Sequence, residues 1–180
     1  LLCMAVAQGA VAQVYNDASN ESQLITDVGF GGGVRLTDDI TISTTLVIKT
    51  DKNIIIDLNG HTLSRGLSTS GGSTGHVIEL QSGATLTIKD SGTDGKITGG
   101  FADAGGAIYN RGTLPINGGA IVANEATEFG GAICNRGTLT INGGRISANK
   151  APDGGAVYNQ YDSDKNYVGE MTVNDGIIRD

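Results

Sequence analysis

Tryptophan is absent from the 180 residues, and three Phe with five Tyr bring aromatics to only 4%. A core must therefore be aliphatic, and a substrate cannot be gripped by Trp stacking. Proline occurs twice, so the 29 glycines belong neither to a collagen-like chain nor to a Pro-rich linker. Charged residues are scarce at 17% against 38% hydrophobic ones, the reverse of a disordered composition. Basic residues are outnumbered, 12 Lys+Arg against 19 Asp+Glu, for a net charge of −7. That balance argues against nucleic acid or an anionic membrane as the main partner. No stretch approaches the ~18 apolar residues of a membrane span.

The ends differ from the middle. Leu1-Leu2-Cys3-Met4-Ala5-Val6-Ala7 is an apolar run that leads to Ala10-Val11-Ala12. An apolar stretch closing on an A-x-A-like triplet reads as the remnant of a secretory signal peptide over residues 1–12. Polar residues Gln13 to Glu21 follow directly. Removal of the run would take Cys3 with it and leave Cys134 without a partner. A lone Cys with no His nearby reads as a small buried apolar group, not a nucleophile. The other end, Gly176-Ile177-Ile178-Arg179-Asp180, stops inside a repeat, which reads as a C-terminally truncated piece of a longer chain.

Self-similarity decides the fold. Residues 105–124 read GGAIYNRGTLPINGGAIVAN and residues 130–149 read GGAICNRGTLTINGGRISAN. A third copy opens at 154–159 with GGAVYN, carries the insertion QYDSDKNYV and resumes as GEMTVNDGII. The Gly-Gly starts are 25 and 24 residues apart. Degenerate copies precede them, through Thr45–Ile48, Asn53–Leu58, His76–Leu80 and Ala84–Ile88. Each unit holds three short apolar pieces between Asn/Gly turns, such as Ala132-Ile133-Cys134, Thr138-Leu139-Thr140-Ile141 and Arg145-Ile146-Ser147-Ala148. Leu139 and Ile141 alternate with Thr, the period of a half-buried strand. None of these pieces is long enough for a helix.

An antiparallel sandwich would not require near-identity every 24 or 25 residues. A parallel β-helix does, because equivalent residues of successive coils stack at ~4.8 Å. Leu114 is expected on Leu139, Ile116 on Ile141 and Asn124 on Asn149. The expected fold is thus all-β: a single-stranded parallel β-helix of about six coils over 33–180, some 25 to 30 Å long at that spacing. Segment 13–32 is the expected N-terminal cap. Within it Ser19 or Asn20 would start a short helix, Leu24, Ile25 and Val28 would form its apolar face, and Gly29 and Gly31–Gly33 would end it.

Gly105-Gly106-Ala107-Ile108, Gly130-Gly131-Ala132-Ile133 and Gly154-Gly155-Ala156-Val157 resemble the GGAI element of polymorphic outer-membrane protein repeats. Similar repeats occur in autotransporter-like adhesins and large surface proteins of gut bacteria. The companion Phe-x-x-Asn appears as Ile121-Val122-Ala123-Asn124 and Ile146-Ser147-Ala148-Asn149, with Ile for Phe. Ile56-Asp57-Leu58-Asn59-Gly60-His61-Thr62-Leu63-Ser64 is similar to an early coil of bacterial surface β-helices. The resemblance covers about residues 33–180. It implies a right-handed parallel β-helix, secreted or displayed on a bacterial surface, with a host or environmental glycan or protein as partner.

Few residues offer chemistry. His61 and His76 sit in or beside turns without triad partners. Asp162, Asp164 and Asn166 alternate as in the start of a calcium loop, yet Tyr167 and Val173 occupy positions where an EF-hand needs Gly and Glu. A projecting loop flanked by Tyr158, Tyr161 and Tyr167 is the better reading, and Tyr158, Tyr161, Asp162, Asp164, Asn166 and Tyr167 form the expected contact surface. A polysaccharide lyase or hydrolase of the pectin-lyase-like class is the enzyme alternative. It needs carboxylates beside Arg or Lys on adjacent coils, whereas Arg111, Arg136 and Gln160 recur with no carboxylate pair beside them. Ice binding through Thr-x-Thr ladders is a further alternative, broken at Pro115 and Glu170. No catalytic residue, metal or cofactor is assigned, and the expected role is a non-catalytic adhesin or stalk module.

Overall fold

The computed structural model describes residues 13–68, 74–162 and 167–179. The proposed signal remnant and two residues of the expected contact loop, Asp164 and Asn166, lie outside them. The chain winds through three stacked sheets in turn. The first holds seven strands, Tyr15–Ala18, Gly32–Leu36, Asn53–Asp57, Thr85–Lys89, Thr113–Ile116, Thr138–Ile141 and Glu170–Val173. The second holds six, from Ile40–Thr41 to Ile177–Arg179, and the third five, from Leu46–Ile48 to Val157–Asn159. Every pairing within these sheets is parallel. Five full circuits and part of a sixth result, an all-β parallel solenoid.

Register follows the repeat. Leu114 pairs with Leu139, and Ile116 with Ile141. The next coil places Met171 and Val173 in the same columns. Inward Ile and Leu columns from all three sheets merge into one aliphatic core, with Leu86, Leu114 and Leu139 all fully buried. Each such side chain contributes about 1.5–3 kcal/mol through burial. Ala107 and Ile108 are both buried, so the Gly-Gly-Ala-Ile element turns its whole length inward.

The glycine pair has two separate jobs. Gly105, Gly130 and Gly154 have φ of +67°, +62° and +63°, a region open mainly to glycine. Their neighbours Gly106 and Gly131 lie against the next coil, where a Cβ would sit 2.5 Å from the Gly131 oxygen and 2.3 Å from the Gly155 oxygen respectively. The tight turn and the close coil spacing therefore need different glycines.

Polar corners are closed by asparagine ladders. Asn124 Nδ2 donates to Asn149 Oδ1 at 3.0 Å inside the core. A second ladder runs from the buried Asn110 through the buried Asn135 to the exposed Asn159, both steps 2.6 Å. A third, exposed, joins Asn117, Asn142 and Asn174. Each buried amide also binds backbone groups, as Asn135 does at Glu170 O (2.9 Å) and Gly137 N (3.3 Å). These bonds keep polar atoms inside the stack satisfied.

The helix Glu21–Phe30 covers the N-terminal end. Asn20 caps it, accepting from the Gln23 N–H at 3.1 Å. Leu24 and Val28 enter the core, but Ile25 is 46% exposed, which corrects the expected apolar face. Residues 24 and 28 share a line along the helix axis, whereas 25 is turned ~100° away. Gly29 lies inside the helix, and Gly31 ends it with φ +99°. A short parallel strand, Tyr15–Ala18, also precedes the helix and adds an outer rung to the first sheet.

Candidate functional site

A fourth, two-stranded sheet interrupts the corner between the second and third. Its strands Phe101–Ala104 and Glu125–Phe129 pair in parallel with a bulge between Ala102 and Ala104. The bulge and the following Gly-Gly turn hold the corner away from the third sheet. A lateral groove of about 340 Å³ opens there, lined by His76, Asp103, Tyr109, Glu128, Phe129 and Arg136 among others.

Successive coils build its floor. Glu79, Tyr109, Cys134 and Tyr158 form one outward column of the third sheet. The His76 ring stacks on Tyr109 with centroids 5.3 Å apart and planes at 22°. The guanidinium groups of Arg111 and Arg136 lie 5.3 Å and 5.1 Å from the same ring centre, a cation–π arrangement. Phe129 packs on Tyr158 with centroids 4.7 Å apart. Tyr158 therefore supports the groove, and beyond it the insertion presents Tyr161, which is 70% exposed. Tyr161–Asp162 and Tyr167–Val168 pair as two short antiparallel strands.

The two arginines of the repeat have different partners. Arg111 bonds Glu79. Arg136 instead donates its Nε to Gln160 Oε1 at 2.5 Å. The guanidinium also interacts with the neighbouring Cys134 thiol, and it forms no ion pair with a carboxylate among the described residues. Asp103 accepts a hydrogen bond from the Thr127 hydroxyl at 3.2 Å, and Glu128 forms no ion pair among the described residues. The groove thus holds one guanidinium fork and two carboxylates that do not neutralise one another.

Asp103 and Glu128 are the residues that inspection of Arg111 and Arg136 alone does not find. The carboxylates lie upstream, not beside the arginines, and coil winding brings them together. A signal existed: each stands two residues before a Gly-Gly pair. His61 also differs from expectation, since Asp39 Oδ1 is 3.6 Å from its Nδ1, but the Asp39 side chain is 69% exposed. The Cys134 thiol is fully buried. Burial pushes it up from its ordinary value, against a smaller opposite pull from Arg136, so it is protonated and unreactive at neutral pH.

Another hollow, of about 610 Å³, is lined by Asp90, Asp94, Lys96 and Arg145 with several turn glycines. Asp90 is already engaged there by the N–H groups of Gly60, Gly92 and Gly95. No group of three or more His, Cys, Asp or Glu suited to a metal ion occurs among the described residues, and no described helix is long and apolar enough to cross a membrane. The fold defines the class as a parallel β-solenoid. A scan of protein-family models finds no match, and searches of curated proteins and of solved structures find none either.

Proposed function

We propose that this chain is a non-catalytic module of a secreted or bacterial cell-surface β-helix, of adhesin or stalk type, that carries a glycan-binding groove on its side. The stacked coils supply a stiff scaffold, and recognition resides at one corner. The observation that carries the reading is the groove itself, where aromatic rings beside hydrogen-bonding charged groups give the usual make-up of a sugar site. Tyr161, next to the Gln160 that bonds Arg136, supplies one more exposed aromatic.

The carbohydrate-active alternative draws on Asp103 and Glu128 in the same groove, since paired carboxylates carry glycoside hydrolysis. An oligosaccharide array and a polysaccharide depolymerisation panel separate the readings. Binding without release of reducing or unsaturated ends supports the module. Turnover that disappears in Asp103→Asn or Glu128→Gln would replace it with the enzyme.

A further inference from the structure

The geometry points to a carboxylated sugar unit as the ligand of the groove, its carboxylate read by Arg136 and its hydroxyls by Asp103 and Glu128. This rests on the glycan-binding reading above and names the ligand chemistry. A guanidinium fork matches a carboxylate with two parallel N–H···O bonds. Arg136 is prepared for that role. Its Nε is held by Gln160 at 2.5 Å, and its guanidinium carbon lies 5.1 Å from the Tyr109 ring centre, so a group without a paired carboxylate is held in the groove lining with little conformational freedom to lose. Arg111, one coil earlier, has the same stem but is occupied by Glu79. The difference between two otherwise matching repeats marks Arg136 as the reader.

The two carboxylates set the rest of the ligand. An ion with several negative charges would be repelled by Asp103 and Glu128, whereas hydroxyl groups donate to them. Phe129 offers an apolar wall for the C–H face of a sugar ring. A cavity of about 340 Å³ is at the small end of ligand sites, which run roughly 300–1,000 Å³, and suits one ring rather than a long chain. One anionic group and several hydroxyls on a compact ring is the description of a sugar acid.

The test titrates the intact chain with glucuronate, glucose and glucosamine, followed by NMR shifts of the His and Tyr ring protons. Glucuronate should bind about tenfold more tightly than glucose, the range of one charge-assisted bidentate contact. Arg136→Gln should reduce glucuronate affinity to about that of glucose measured on the same variant. Arg136→Lys, which keeps the charge but loses the fork, should fall between, and serves also if the Gln variant does not fold. Equal affinity for glucuronate and glucose, or preference for glucosamine, would overturn the carboxylate assignment and leave neutral-glycan binding standing. If none of the three sugars shifts these rings while the array also shows no binding, the glycan reading itself falls.

Discussion

Asp57 shows how one side chain can be both a fold contact and a pH sensor. It stands in a column of alternating charge, Asp17, Arg35, Asp57 and Lys89, along one edge of the first sheet. Burial pushes its carboxyl up, but the Ser91 N–H at 2.9 Å and the Lys89 ammonium at 3.2 Å outweigh that push. The net direction is downward from 3.8. A carboxyl with a lower folded than unfolded value stabilises the fold fully above the unfolded value, and that contribution is lost as pH falls toward the folded one. The midpoint of thermal unfolding should therefore hold steady from neutrality to about pH 5 and decline below about pH 4. Asp57→Asn should flatten part of that acid decline. A remainder should persist, because the Ser43 hydroxyl lowers Glu21 and the Thr62 N–H lowers Asp39 in the same direction. An acid decline of unchanged steepness in Asp57→Asn would count against the assignment.

Among the elements, the Gly-Gly turn is sensitive on two counts, contact and backbone conformation. At Gly130 an added Cβ would stand 2.2 Å from the Ile133 carbonyl oxygen, on a backbone with φ +62°. Gly130→Ala should cost about 2 kcal/mol, within the range for a strained left-handed residue, read as a lower urea midpoint. Gly143→Ala is the control, since its nearest neighbour would be 3.3 Å away and its φ is not left-handed; it should cost less. Turns and inward strands were legible in the sequence because identical residues recur wherever stacking demands them, as at Leu114 and Leu139. The groove was less so. The strands Phe101–Ala104 and Glu125–Phe129 differ in length and pair through a bulge, so their spacing does not repeat cleanly. Asp103 and Glu128 come together with Arg136 only once the chain has wound around the core. Ile25 was misplaced for another reason: an apolar residue one position from a buried one looks core-facing in a short helix, although it points elsewhere. The Asn110–Asn135–Asn159 ladder was hidden too, because an Asn before Arg-Gly or beside Gln reads first as a turn residue.

At the scale of the molecule, neighbouring coils are interchangeable parts. Asn110 and Asn135 are 25 residues apart and perform the same task. Removal of residues 106–130 joins Gly105 to Gly131, which keeps the turn glycine and carries Asn135 into the place of Asn110. The shortened chain should fold with a β-rich circular dichroism spectrum and a single melting transition a little below that of the parent. It should also lose groove binding, because Tyr109, Glu128 and Phe129 leave together. An unfolded product would show that the coils depend on one another more specifically than their matched register implies.

The asparagine ladders have a consequence for reach. Because the repeat coils from Asn110 onward are joined by the same amide contacts, copying or dropping one of them moves whatever sits at the far end by one fixed step of ~4.8 Å. Length in this molecule is thus counted, not adjusted: a lineage that duplicates the unit extends its arm in whole notches while leaving the grip unchanged.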